Sequence, residues 1–152
     1  MQERLQNATQ AFPVKVTQDF SYRADRIAGE GWVLVGDAFG FLDPIYSSGV
    51  LLALKSGELA ADCINDGLAA NDLSGQRLGA FGPELVAGME AIRKLVYAFY
   101  NKEFSFAWFL KNHPECTQGV IDILSGDVFK EGVEDIFEPM GKMIDLPSSM
   151  PL

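Results

Sequence analysis

The sequence has 152 residues, the size of one ordinary domain. Hydrophobic residues make up 48% and charged residues 22%, a composition typical of folded globular chains that excludes a disordered one. Twelve basic residues against 21 acidic ones give a formal net charge of −9. Nucleic acids and anionic membrane surfaces attract basic proteins, so the charge argues against both as partners.

Other classes of protein are excluded by what the sequence lacks. No stretch reaches the roughly 20 apolar residues that a bilayer-spanning helix needs, and the N-terminal residues MQERLQNATQ contain no apolar export signal. Cys63 and Cys116 are too few for a disulfide framework, and with His113 as the one histidine no metal site is predicted. We therefore expect a cytoplasmic protein with reduced thiols and no bound metal.

In chain order, the first predicted elements are short strands. Phe12–Val16 alternates apolar and polar residues, but Pro13 limits it to an edge strand or a loop. The apolar run WVLV, residues 32–35, is typical of a buried strand, and the turn signal at residues 28–31 before it predicts a β-hairpin.

A long helix is predicted from about Gly49 to Asp66, capped by a serine oxygen of Ser47-Ser48. Its apolar residues recur at three- and four-residue spacing. This pattern predicts one buried face made of Val50, Ala53, Leu54, Gly57, Ala60, Ala61 and Ile64, small enough to pack closely on a sheet.

The second half of the chain predicts further helices. Residues 67–75 are expected to form a loop, followed by a helix over about 82–102 with Pro83 in its first turn. Its apolar stripe is Leu85, Met89, Ile92, Val96 and Phe99. Shorter helices are predicted at about 115–125 and 127–138, and residues 146–152 should be frayed. The predicted fold class is therefore mainly α with a short β-hairpin.

The candidate chemistry lies in residues 31–61. The strand in this window would deliver Asp37 at its C-terminal end, where open α/β sheets place ligands and where a carboxylate can accept hydrogen bonds from a polyol. Pro44 stiffens the following loop. Ser48 and Gly49 then open a helix whose N–H groups and dipole favour an anion or a partly negative oxygen, and the absent Cβ of Gly49 lets a flat ring approach. Together these features suit a flavin.

Each feature taken alone also has a purely structural explanation. A Gly-Asp pair at the end of a strand usually marks only a turn, and Ser-Ser-Gly usually only caps a helix. Seven aromatic residues between 97 and 109 could line a pocket for a flat aromatic or acyl substrate, or could belong to the core. The residues proposed for the pocket are Tyr46, Tyr97, Tyr100, Phe104 and Trp108.

The ordered string G-D-A-x-x-x-x-D-P-x-x-S-S-G-V, residues 36–50, resembles the second FAD fingerprint of flavin monooxygenases of the p-hydroxybenzoate hydroxylase type. Within that superfamily, residues 20–66 look most like the FAD-dependent halogenases that act on pyrrolic, phenolic or alkyl substrates. Tyr46 stands where tryptophan halogenases carry a glutamate, so tryptophan is not the expected substrate.

The resemblance implies a role for each matching residue. Gly36 and Asp37 would hold the ribityl or ribose hydroxyls of FAD, and Pro44 would lie against the isoalloxazine ring. The amides of Ser48, Gly49 and Val50 would face the flavin N1/O2 edge. Ser48 and Gly49 would also line the halide site. The family's chemistry uses reduced FAD, O2 and halide to form hypohalous acid, which a lysine in the N-terminal part directs to the substrate.

Three elements of that family are missing from the sequence. It has no G-x-G-x-x-G strand-turn-helix to cradle the pyrophosphate, no W-x-W-x-I-P motif and no region bearing the active-site lysine. No catalytic residue is therefore assigned. We expect a C-terminal fragment of an FAD oxidoreductase, in which residues 1–66 are the distal part of the α/β FAD-binding domain and residues 67–152 a helical C-terminal region.

Several expectations follow for the isolated chain. It should be inactive and should bind FAD weakly or not at all. Its expected partners are the missing N-terminal FAD domain, a small-molecule substrate, a flavin reductase, and a second copy through exposed aromatic surface. The alternatives are a fragment of an FAD hydroxylase or of a geranylgeranyl reductase-like enzyme, which shares the general fingerprint, and a non-enzymatic helical interaction domain.

Overall fold

The computed structural model describes residues 6–16 and 21–148. Helices dominate this part of the chain and only short strand pairs accompany them, so the predicted mainly α class with a short β-hairpin is confirmed. Phe20, the first residue of the motif region, and residues 149–152 of the predicted frayed tail lie outside the described residues. The helices are α1 (Gly49–Ala70), α2 (Gly75–Leu78), α3 (Gly82–Tyr100), α4 (Phe106–Asn112), α5 (Thr117–Ser125) and α6 (Phe137–Gly141).

The strands form two antiparallel pairs of two residues each. They are β1 (Tyr22–Arg23), which pairs with β4 (Gly40–Phe41), and β2 (Ala28–Gly29), which pairs with β3 (Trp32–Val33). The β2–β3 pair is the predicted hairpin. Its closure depends on a glycine, because a Cβ at Gly29 would lie 2.5 Å from the Trp32 ring.

The prediction that residues 32–35 form a buried strand is wrong. Only Trp32 and Val33 are in strand geometry, and the side chains of Trp32 and Val35 are 43% and 38% exposed. The described residues contain no sheet wide enough to cover both faces of this run. Phe12–Val16, predicted as an edge strand or a loop, is an exposed loop.

Helix α1 continues past its predicted end at Asp66 and past the proposed domain boundary. It ends at Asn71, which takes the left-handed conformation with φ 51°, and its amide donates to the carbonyls of Gly67 and Leu68. Gly67 serves close packing, because a Cβ there would lie 2.8 Å from the carbonyl oxygen of Asp72. The predicted loop over residues 67–75 therefore shrinks to four residues, 71–74, before α2 begins.

The buried face of α1 differs from the predicted one. Val50 and Leu54 are 72% and 71% exposed, and of the predicted set only Ala60 is buried. The buried residues are instead Leu52, Ser56, Ala60 and Gly67. The helix places Leu52 and three small residues against the rest of the described chain and leaves the predicted apolar stripe largely uncovered.

Helix α3 passes through the centre of the core. Leu85, Met89, Ile92 and Val96 are buried as predicted, whereas Phe99, near the end of the helix, is 49% exposed. A continuous cluster of buried apolar residues extends from Ile27 to Ile144. No helix in the described part of the chain is long and apolar enough to cross a membrane.

The region after α5 is mostly not helical, in contrast to the prediction for residues 127–138. Gly126 and Gly132 have φ of 96° and 80°, which interrupts any continuous helix. A 3-10 turn at Val133–Ile136 and the short α6 follow. Lys130 ties the intervening loop back to α5, because its ammonium donates to the Asp122 carboxylate at 2.8 Å.

The burial difference between α1 and α3 predicts the effect of two leucine truncations. Leu95 is 0% exposed and Leu54 is 71% exposed. Leu95→Ala should lower the free energy of unfolding by about 2–5 kcal/mol because it opens a cavity in the core, whereas Leu54→Ala should change it by less than about 0.5 kcal/mol. Urea denaturation of both variants measures the two changes in the free energy of unfolding. Equal losses would contradict the described burial of α1.

The Asp122–Lys130 contact predicts a pH-dependent contribution to stability. Hydrogen bonds from the Lys130 ammonium and the Gln118 amide hold the pKa of Asp122 below its ordinary value. A lowered carboxyl pKa stabilises the fold above about pH 3.9 and is lost as the pH falls through the folded-state pKa. Asp122→Asn should therefore lower the unfolding midpoint at pH 7, and the difference from wild type should vanish in acid.

The control for Asp122→Asn is Glu58→Gln. Glu58 pairs with Lys55 at 3.2 Å, but its side chain is 65% exposed, and such surface pairs add little stability. Thermal unfolding between pH 7 and pH 3 should show no pH-dependent difference for Glu58→Gln. If the difference in unfolding midpoint between Asp122→Asn and wild type also does not change with pH, the Lys130 contact makes no stabilising contribution.

Candidate functional site

The Gly-Asp motif forms a tight turn packed on α1. Residues Gly36–Ala38 make a single 3-10 turn shortly after β3. Gly36 has φ of 52°, and a Cβ on it would lie 3.2 Å from the Cβ of Ala53. Its amide donates to the hydroxyl of Ser56 at 2.8 Å. Both the backbone conformation and the close approach to α1 therefore favour glycine at this position.

The sequence predicts Asp37 as a ligand-binding carboxylate at the end of a strand, and that placement is wrong. Strand β3 ends at Val33, and Asp37 lies four residues further on, in the 3-10 turn. Its side chain is exposed, and no group of the described residues hydrogen-bonds to the carboxylate. Its backbone is fixed, because the carbonyl oxygen accepts a hydrogen bond from the Tyr22 hydroxyl at 2.6 Å. The carboxylate is thus held on a fixed backbone and open to hydroxyl donors of a ligand.

The loop that leads into α1 is stiffened by Asp43. This residue caps the 3-10 turn Pro44–Tyr46, because its Oδ1 accepts a hydrogen bond from the Ile45 amide at 3.0 Å. The Tyr100 hydroxyl on α3 donates to the same oxygen at 3.3 Å. Ser47 then takes a left-handed conformation with φ of 55°, which turns the chain into the helix.

The start of α1 presents free N–H groups, although not through the predicted serine cap. Ser48 is 9% exposed and its side chain makes no capping hydrogen bond, so that prediction is wrong. Within the described residues the amides of Ser48, Gly49 and Val50 donate to no acceptor. A Cβ at Gly49 would meet nothing within 4 Å. The amides therefore lie at the positive end of a 22-residue helix and are open to a ligand.

The Gly-Asp turn and the helix start lie on one face of α1. Gly49, Ala53 and Ser56 follow at four- and three-residue spacing, which places them on the same side of the helix. Gly36 contacts Ala53 and bonds to Ser56. The turn that carries the exposed Asp37, the open amides and a glycine that a flat ring can approach thus lie along one face. This set of groups fits the ribityl chain and the pyrimidine edge of a flavin.

Three of the five proposed pocket residues surround the Asp43 loop. Tyr46 and Tyr100 both contact Phe99, with ring centroids 5.9 Å and 5.3 Å away. Burial, and secondarily the nearby Tyr100, raises the pKa of Tyr46 to about 12, and its hydroxyl donates to the Leu95 carbonyl at 3.3 Å. Tyr97 and Asp43 line a neighbouring cavity of about 160 Å³.

The other two proposed pocket residues lie on or near α4. Phe104 packs against Phe106 and Phe109, with ring centroids 5.0 Å and 5.5 Å apart. Trp108 is 53% exposed. Within the described residues no ring pair or hydrogen bond links Phe104 or Trp108 to the Asp43 loop, so such contacts do not bring all five residues together.

Sequence reasoning did not assign Ser56 or α5 to this region. Ser56 is the one residue with a polar side chain among the buried residues of α1. A polar side chain on such a face needs a hydrogen-bond partner, and this was the signal in the sequence that could have pointed to it. Ser125 and Gly126 at the end of α5 close a cavity of about 120 Å³ with Tyr46, Ser47 and Ser48. No local pattern could have predicted this long-range packing.

Comparison with protein families adds independent evidence. Residues 1–139 match a family model described as tryptophan halogenase. The chain belongs to this family. The suspected likeness to halogenase-type flavoproteins is therefore confirmed, whereas the site roles given to Gly36, Asp37, Pro44, Ser48, Gly49 and Val50 stay predictions.

Two curated halogenases align with most of the chain, and a third aligns with about a third of it. A 1H-pyrrole-2-carbonyl-[peptidyl-carrier protein] chlorinase of Pseudomonas fluorescens is 28% identical over 99% of the chain and 33% of its own length. The corresponding brominase of Pseudoalteromonas luteoviolacea is 34% identical over 85% of the chain and 31% of its own length. The flavin-dependent halogenase armH4 of Armillaria mellea is 48% identical over 34% of the chain and 10% of its own length. The chain therefore spans about a third of the length of the first two relatives.

The Asp43 cap predicts a local change in hydrogen exchange. Asp43→Ala removes the acceptor of the Ile45 amide, and a lost cap of about 1 kcal/mol should speed exchange of that amide about fivefold. Asp43→Asn keeps an acceptor oxygen and should leave exchange close to wild type. Amide exchange followed by NMR measures both variants. Unchanged exchange in Asp43→Ala would show that Asp43 does not hold the loop.

Proposed function

We propose that the chain is the C-terminal third of an FAD-dependent halogenase and that it supplies the ribityl anchor and the amide-lined edge of the flavin site. The observation that supports this proposal best is that the Gly36–Ala38 turn, which carries the exposed Asp37, packs on the α1 face that begins at Gly49. Membership of the halogenase family and the one-third coverage of its relatives support the assignment.

Each group has a chemical task in this proposal. The Asp37 carboxylate accepts hydrogen bonds from the ribityl hydroxyls, and Pro44 lies against the ring. The amides of Ser48, Gly49 and Val50 donate to the partly negative N1/O2 edge. The positive end of α1 at Ser48 and Gly49 also attracts the halide.

The reaction follows from the cofactor and the family. Reduced FAD, when bound, would supply two of the four electrons that convert O2 to water, and oxidation of the halide would supply the other two. A separate flavin reductase would provide the reduced cofactor. In the net reaction a C–H bond of the substrate becomes a C–halogen bond, and both atoms of O2 leave as water. The chain's residues hold the reactants in place, while the lysine that directs the halogen belongs to the remaining two thirds of the protein.

The substrate proposed is a small aromatic acyl group attached to a carrier protein. Two relatives that align over most of the chain are named for a pyrrole-2-carbonyl group on a peptidyl-carrier protein. Tyr46, Tyr97 and Tyr100 offer flat surfaces beside the Asp43 loop, which suits an aromatic ring. The proposal favours a pyrrolic or phenolic ring over tryptophan.

The exposed apolar stripe of α1 supports the idea that more protein packs here. Together with the hairpin it forms a groove of about 450 Å³, which includes Trp32, Gly57, Ala61 and Leu68. We assign this groove to the N-terminal FAD-binding domain, because the relatives contain about twice as much further sequence as this chain covers.

Halogenation is tested with the protein encoded by the genomic reading frame that contains this chain. With reduced FAD, O2 and chloride or bromide, it should halogenate a pyrrolyl group on a carrier protein, as detected by mass spectrometry. Asp37→Asn should raise the KM for reduced FAD about tenfold or more, because hydrogen bonds to a charged acceptor are lost. Asp62→Asn, on the exposed surface of α1, is the matched control and should leave the KM unchanged.

Three outcomes would contradict the proposal in different ways. Halide-independent oxygenation of the substrate would favour a hydroxylase. A protein that binds no flavin would favour a non-enzymatic interaction domain. The isolated chain should lose its flavin on gel filtration because the pyrophosphate cradle is missing, so a chain that stays yellow would contradict its role as one third of the site.

If the N-terminal domain packs in the groove, a substitution in the groove should lower the stability of the longer protein and not that of the isolated chain. Ala61 is exposed in the groove, so Ala61→Arg should leave the thermal midpoint of the isolated chain unchanged and lower that of the longer protein. The measurement is differential scanning fluorimetry of both proteins. If the isolated chain instead forms dimers that Ala61→Arg dissociates, a second copy occupies the groove.

A further inference from the structure

We propose that Ser56 is a positioning residue that sets the orientation of Asp37 toward the ligand, an inference that rests on the proposed function. Ser56 lies two turns into α1 and is 1% exposed. Its hydroxyl accepts a hydrogen bond from the Gly36 amide at 2.8 Å and donates one to the Ala53 carbonyl at 3.0 Å. Ser56 therefore acts on Asp37 through the residue that precedes it.

The two hydrogen bonds of Ser56 depend on each other. Because its proton points to the Ala53 carbonyl, a lone pair of the hydroxyl is available to the Gly36 amide. Within the described residues that amide donates to no other acceptor. Removing the hydroxyl would leave a partly buried N–H without a partner, which is costly unless the turn moves to expose it.

Contacts on both sides of Asp37 hold the backbone of the Gly-Asp turn in place. The Cβ position of Gly36 lies 3.2 Å from that of Ala53, so the turn is already in close contact with α1. On the far side, the Asp37 carbonyl is held by the Tyr22 hydroxyl, and Phe39, 1% exposed, lies in the core. With the backbone held on both sides of Asp37, its carboxylate is left with side-chain rotation alone. Loss of the Ser56 contact releases one of these two sides.

The first test is hydrogen exchange in the isolated chain. In Ser56→Ala the Gly36 amide should exchange at least about tenfold faster than in wild type, as expected when a buried N–H loses its acceptor. Ser56→Thr keeps the hydroxyl and should restore protection. Ser105→Ala is the control for general destabilisation, because it removes the N-cap of α4 and makes no contact with the Gly-Asp turn.

The second test is saturation-transfer NMR with riboflavin, which detects weak binding and reports separately on the ribityl chain and the ring. In Ser56→Ala the transfer to the ribityl protons should fall severalfold relative to the ring methyl protons, and Asp37→Asn should produce the same change. Ser105→Ala should leave the ratio at its wild-type value. A loss of stability alone would lower both signals together and would not change their ratio.

The outcomes separate this inference from the proposed function. Unchanged Gly36 protection in Ser56→Ala would overturn the positioning role, as would lost protection with an unchanged ribityl-to-ring ratio. If the wild-type chain shows no transfer to riboflavin, the same ratio is measured in the longer protein encoded by the genomic reading frame. No transfer in that protein either would contradict the flavin site itself, and the positioning of Asp37 toward a flavin would fall with it even where Gly36 exchange responds to Ser56.

Discussion

The contact between the Gly36 turn and helix α1 determines how the candidate site is assembled. A glycine with positive φ packs against Ala53 and donates to the buried Ser56 hydroxyl. The turn therefore lies on the helix face that starts at Gly49, so the residue that carries the exposed carboxylate is held close to the face that begins with the open amides. A larger residue at either Gly36 or Ala53 would separate the two halves of the site.

The core explains why this arrangement is stable in a chain with so little sheet. Helix α3 is buried along most of its length, and its residues Leu85, Ile92 and Leu95 are at most 1% exposed. The Asp43 loop is joined to the same helix through Tyr100. Packing of α3 thus supports the loop, and the loop in turn sets the direction in which α1 begins.

The distribution of apolar surface is the feature that distinguishes this chain from a self-contained domain of the same size. Its core is continuous, yet Val50, Leu54 and Leu68 are exposed on α1, and Leu68 lines a groove with the exposed Trp32. Apolar surface of this kind is typical of a contact with another protein surface. The uncovered stripe is the observation behind the proposed contact with a further domain.

Much of the fold could be predicted because local signals were strong. The hairpin followed from the glycines around Glu30, and α3 from its apolar spacing and Pro83, since these features act over a few residues. The extent of α1 could not be predicted, because Gly67 looked like a helix terminator when its role is close packing with Asp72. The prediction of a helix over residues 127–138 failed for a similar reason. The composition suits a helix, but Gly126 and Gly132 take positive φ and interrupt it.

The sequence by itself determined the order of the chemical groups: a Gly-Asp pair, a rigid Asp-Pro loop and a Ser-Ser-Gly helix start. It also determined the chain's acidic charge and its likeness to halogenase flavoproteins, because both are properties of the residues and their spacing. Only the tertiary structure decided which face of α1 is buried, that Ser48 does not cap the helix, and that Ser56 bonds to Gly36. Those outcomes depend on contacts between residues far apart in the chain, where the best packing of the whole outweighs local preference.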